Sequence, residues 1–135
     1  MLRSVLAVLA GIVTLTVASF VVELVANPLL MRAFPHALPD VAAMRANPYT
    51  RAFMWVYGFA CVALGGYVAA WIARRFPVRH AAVLGVVQGG LTLLAMFSPE
   101  GNHASRAEWI MIALMSVPAA VVGGMLCKRR RPNDI

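Results

Sequence analysis

Leu64-Gly65-Gly66-Tyr67-Val68-Ala69-Ala70-Trp71-Ile72-Ala73-Arg74-Arg75 decides the reading of this chain. It ends a charge-free run, residues 53–73, long enough to cross the ~30 Å hydrocarbon core of a bilayer at ~1.5 Å per residue. Its small residues let another helix backbone approach closely. Its paired arginines stop the run as the cytoplasmic flank of a membrane helix does. A weaker copy recurs at 121–131, where Gly123-Gly124 precedes Lys128-Arg129-Arg130-Arg131.

The rest of the sequence agrees with lipid as the solvent. Of its 135 residues, 61% are hydrophobic and 13% charged, whereas a soluble domain carries roughly twice that charged fraction. Mean hydropathy is +0.78. The net charge of +7 does not describe a nucleic-acid surface, because the cations cluster at the ends of apolar runs instead of lining a polar face. No nucleic-acid partner is expected. Cys61 and Cys127 lie in or at the end of apolar runs, with no CxxC spacing, and read as small buried thiols.

Four spans follow in order, at about 4–31, 48–74, 78–97 and 106–127, forming one transmembrane domain over 1–135. The first run is far longer than the ~7–15 residues of a signal-peptide core and has no A-x-A site after it, so it reads as an uncleaved helix that must tilt or project. Pro28 biases Asn27 away from helical geometry, which would kink or end the helix there. A short interfacial helix is expected at 40–46. Asn47-Pro48 gives the second span an N-cap and a proline at its first position. Trp55, Tyr57 and Trp71 read as interfacial aromatics. Ser105-Arg106-Ala107-Glu108 has capping-box spacing before the fourth span, and Pro118 within that span should kink it or free a carbonyl.

The cations orient the bundle. Arg3, Arg74, Arg75, Arg79, Lys128, Arg129, Arg130 and Arg131 fall on one face; Arg32, Arg45, Arg51 and Arg106 fall on the other, diluted by Asp40, Glu100 and Glu108. The positive-inside rule then places both ends of the chain in the cytoplasm. The expected architecture is all-α, a polytopic membrane protein of four helices in two antiparallel hairpins. The second and fourth spans share a Gly-Gly pair and a basic stop, and 9–13 is loosely echoed by 84–87. Two hairpins related by an axis along the membrane normal would produce that echo, as would chance among helices rich in Ala, Gly and Val.

Small residues four apart mark packing faces: Cys61, Gly65, Ala69 and Ala73, with Gly66 beside them; Ala81, Gly85 and Gly89; Ser116, Ala120 and Gly124, flanked by Gly123. Their partner is either another helix of the same chain or a second copy. Polar residues inside the spans are costly and therefore candidates for function. Glu23 is the only carboxylate inside an apolar run, on a face with Thr16, Ser19 and Asn27 and toward the outer interface. It could pair with Arg51, Arg32 or Arg106, or serve an ion- or proton-coupled path. Gln88 sits mid-span, as glue to Ser116 or to the carbonyl freed by Pro118, or as a pore-lining contact.

His36, His80 and His103 have no metal-ligand spacing, and no metal or other cofactor is expected. No Ser-His-Asp set, phosphate loop or H-E-x-x-H occurs, so an enzyme is not expected. The lipid bilayer is the expected partner, with anionic headgroups drawn to the basic tail.

Val22-Glu23-Leu24, a proline-bearing outer loop, 64–70 with its arginine stop, and 118–124 together resemble a group of small, uncharacterised bacterial integral membrane proteins. The resemblance implies a four-helix protein of the inner membrane and supplies no activity. The sequence departs from that group's usual pattern in the 98–107 loop, where only Pro99 and Trp109 correspond. Small multidrug transporters place a glutamate near the middle of the first helix, where Glu23 is too late; dual-topology fluoride channels have balanced flanking charge, unlike this chain. The expected function is that of a non-enzymatic membrane protein that packs with itself or with a membrane-protein partner. The alternative is a small oligomeric transporter or channel with Glu23 and Gln88 in its path.

Overall fold

The four apolar runs become four long helices. A computed structural model of the protein describes residues 2–73, 76–98 and 105–130. Its elements are α1 (Leu2–Ala33), α2 (Val41–Ala46), α3 (Pro48–Ala73), α4 (Pro77–Ala95) and α5 (Arg106–Arg130). No strand occurs among the described residues. All but α2 are long and apolar enough to cross a membrane. Their outward faces carry large apolar side chains, among them Phe20, Leu24, Val56, Leu94 and Leu114. So much exposed apolar surface is unsuited to water and suited to lipid, as in a multi-pass membrane protein.

Local sequence sets most of the boundaries. Asp40 caps the short helix by accepting from Ala43 N at 2.7 Å. Asn47 Oδ1 accepts from Tyr49 N at 2.9 Å and caps α3. Thr50 ties the two helices together by donating its hydroxyl to the Met44 carbonyl, and Met44 is fully buried beneath that turn. Asn47→Ala removes the cap, and is expected to cost about 1 kcal/mol of stability, measured by denaturant titration in detergent; no change would mean that Pro48 alone sets the helix start. At the other end of the bundle, α4 starts at Pro77 after Phe76, which adopts a left-handed φ of 53°. The Arg79 guanidinium lies 4.8 Å above the Phe76 ring, a cation–π contact that helps hold this unfavourable backbone conformation.

Neither proline ends its helix. α1 runs through Pro28 to Ala33, and α5 runs through Pro118 to Arg130. A proline removes one helical hydrogen bond, and the turns on either side of it keep theirs, so the helix continues. α4 ends at Ala95, two residues short of the expected limit, because Met96, Phe97 and Ser98 wind into tighter turns in which Phe97 N bonds Leu94 O and Ser98 N bonds Ala95 O. Arg74, Arg75, Glu100 and Arg131, which contribute to the charge reading, and His103 lie outside the described residues.

Backbone-to-backbone contacts set the helix order. Gly11 of α1 faces Gly65 and Ala69 of α3, while Glu23 faces Tyr57, so α1 and α3 are antiparallel. Gly85 of α4 faces Ser116 and Val117 of α5, and Gly89 faces Ala113, so this pair is antiparallel too. α3 and α5 run parallel: Gly66 meets Ala120, Gly123 meets Ala63 and Tyr67, and Arg51 meets Glu108. α1 packs mainly on α3 and less on α4, with α5 on the far side of the α3–α4 pair.

The core is small-residue packing around Leu15, Val62, Ala69, Leu84 and Ala120. All seven small residues singled out from sequence (Gly65, Gly66, Ala69, Gly85, Gly89, Gly123 and Gly124) serve contacts between helices of this one chain. The hairpin echo is sharpest at the parallel α3–α5 contact, where Gly66 on Ala120 and Gly123 on Ala63 are nearly reciprocal. The hairpins themselves differ in register, since Gly11 meets Gly65 whereas Gly85 meets Ser116 and Val117, well before Gly123.

Candidate functional site

Residue size changes sharply along α3. Its second half, 60–70, is mostly Ala, Gly, Cys and Val; its first half carries Phe53, Met54, Trp55, Tyr57 and Phe59. The small residues bring four backbones together around Gly11, Gly65, Gly66 and Gly85. The aromatics hold the same helices apart at the other end. The resulting cavity has a volume of about 410 Å³ and is partly open to the surroundings, within the ~300–1,000 Å³ typical of small-molecule sites.

Each helix contributes polar groups to it. α1 supplies Ser19 and Glu23 above Leu15; α2 supplies Arg45; α3 supplies Arg51, Trp55 and Tyr57; α4 supplies Gln88 and Thr92; α5 supplies Glu108, Trp109 and Ser116. Leu15, Val62, Gln88 and Ser116 lie nearest the closely packed half. Arg45, Arg51, Ser98 and Glu108 lie toward the helix ends at the mouth. Gly58 also lines the wall, and nothing lies within 4 Å of where its Cβ would be.

Glu23 is held differently from the arginine pairing considered from sequence. Tyr57 donates its hydroxyl hydrogen to Glu23 Oε1 at 2.9 Å. Arg51 is engaged elsewhere: its Nη2 lies 2.9 Å from Glu108 Oε2, with side-chain exposures of 40% for the arginine and 10% for the glutamate. That pair is the sole ion pair among the described residues. Ser105 Oγ accepts from Glu108 N at 3.3 Å, the first half of a capping box. The Glu108 carboxylate reaches across to α3, because a partnered cation offers it more than a backbone N–H does. Tyr57 lies four residues inside the charge-free run, so the Glu23–Tyr57 bond sits only ~6 Å below the start of that run.

Other expectations shift. Trp55 and Tyr57 line the cavity, so they are not simply interfacial anchors. Asn27 stays outside the lining, as does Thr16, whose hydroxyl donates to Ile12 O at 2.9 Å. The reason is helical drift: each fourth residue advances about 40° round the axis. Leu15, Ser19 and Glu23 sweep across the cavity face, and Asn27 passes beyond it. Gln88 does line the cavity, but no hydrogen bond joins it to Ser116, whose hydroxyl donates to Ile112 O at 2.9 Å. Tyr57 and Glu108 were missed as site residues. The usable signal was the pair of polar groups, one on each of two helices, that a parallel α3–α5 arrangement brings to the same end. Cys61 and Cys127 are buried, are not joined in a disulfide, and lie away from the lining. Among the described residues no three His, Cys, Asp or Glu side chains come together as a metal site would require.

No family model, curated protein or solved structure matches this chain.

Proposed function

We propose that this chain is a small multi-pass carrier of the cell inner (plasma) membrane, with both ends cytoplasmic, that takes a small solute into the cavity lined by Glu23 and Gln88. The observation carrying this reading is that Glu23 faces a cavity and is held by a tyrosine instead of being neutralised by an arginine. A carboxylate within an apolar span is costly unless it does something there. Close backbone packing beyond Leu15 favours a carrier that alternates its access over an open pore. The charge bias supports the orientation: the ends of α3 and α5 remote from the cavity mouth adjoin the richest Lys and Arg clusters. Self-assembly through the small-residue stripes is the weaker reading, because each stripe already has a partner within the chain. The protein acts without catalysis or a cofactor in this proposal.

The test is flux in proteoliposomes under imposed proton, sodium, potassium and organic-solute gradients. Glu23→Gln is expected to lower flux by about tenfold or more, the effect of losing one charge-assisted contact. Absence of movement for every solute and ion would end the carrier reading, and so would undiminished flux in Glu23→Gln.

A further inference from the structure

The charges around the cavity do not cancel where they matter. Arg51 is spent on Glu108. Arg45 is exposed on α2 and reaches Tyr57 only through its charge, with no hydrogen bond or ion pair to Glu23. Glu23 is itself exposed where it lines the cavity; its carboxylate accepts one hydrogen bond through Oε1, and its second oxygen has no partner among the described residues. Tyr57 touches it, and Trp55, Phe59 and Trp109 line the same cavity. Aromatic faces attract cations through their quadrupoles, most strongly where water is scarce, and repel anions. An open carboxylate among aromatic walls is thus matched to positive charge on an apolar body. The empty space beside Gly58 supplies room for that body.

We propose that the cavity takes small organic cations, an ammonium group bearing an apolar or aromatic substituent, with Glu23 as the counter-ion and the aromatic walls around the substituent. This rests on the carrier reading above and names its substrate class. The size of the cavity limits the ligand to the small end of the range for such sites.

The experiment is binding of benzyltrimethylammonium to the purified full chain in lipid nanodiscs, followed by tryptophan fluorescence. Trp55 and Trp109 line the cavity and report on it. A saturable change is expected, weakened about tenfold or more in Glu23→Gln, with none for benzenesulfonate, which has the same ring and opposite charge. Gly58→Leu projects into the open space and is expected to abolish the change while leaving thermal unfolding close to that of the parent. Equal binding of benzenesulfonate, unchanged affinity in Glu23→Gln or in Gly58→Leu, or no saturable change at all would overturn the proposal. Its failure is separable from that of the carrier reading. Cation binding without flux under any gradient refutes the carrier and keeps the ligand class. Glu23-dependent flux of neutral or anionic solutes without cation binding refutes the ligand class and keeps the carrier.

Discussion

Gly123→Ala is expected to destabilise the bundle by about 1–3 kcal/mol, the range for forcing extra volume into a packed core. A Cβ there would overlap the Ala63 carbonyl oxygen and lie 2.8 Å from both Ala63 C and Tyr67 N. All three are backbone atoms, so no side chain can swing aside; α3 and α5 must separate. Separation is costly in lipid, where association relies on van der Waals fit and gains nothing from hiding apolar surface from water. Gly66 is the reciprocal site, with its Cβ directed at the backbone of Ala120, and Gly66→Ala should behave similarly. Gly90 is the control, since nothing lies within 4 Å of its Cβ. Gly90→Ala should be neutral or gain up to ~1 kcal/mol from better helix propensity. Denaturant titration of the purified variants in mixed micelles separates the cases. Equal stabilities for Gly123→Ala and Gly90→Ala would mean that the α3–α5 contact is not a close backbone fit.

The same contact shows what was legible in the sequence. Hydropathy, caps and arginine stops locate four helices because each signal is local, depending on a few adjacent residues and on the solvent. Glycine spacing likewise marks which faces pack. It does not say which helix meets which, since stripes of Ala and Gly on α3, α4 and α5 are chemically alike; only the three-dimensional fit pairs Gly66 with Ala120 and Gly85 with Val117. Glu23 stood out as a carboxylate in an apolar run, but its partner lies 34 positions away and was hidden by the aromatic character of Tyr57. The cavity was partly written in the change of residue size along α3. Recognising it required knowing that the aromatic ends of α3 and α5 run side by side, a consequence of their parallel packing.

That parallel arrangement also creates the Arg51–Glu108 pair at the cavity mouth, and its two members should not be equivalent. Arg51→Ala leaves the Glu108 carboxylate, whose side chain is 10% exposed, without its cation. The expected cost is about 1–3 kcal/mol, the penalty for stranding a buried charged acceptor. Glu108→Ala leaves Arg51, at 40% exposure, able to turn its guanidinium toward water and headgroups, and should cost only about 0–1 kcal/mol. Arg51→Ala combined with Glu108→Gln should recover part of the larger loss, because the stranded group is then neutral. Both single changes release α3 from α5 on the cavity side and should speed ligand entry, whereas the Glu23–Tyr57 bond below is untouched. Stability titration of the single and double variants gives the coupling. Equal single losses that add within about 0.5 kcal/mol would show that the two side chains act independently and that the mouth is held by the aromatic packing alone.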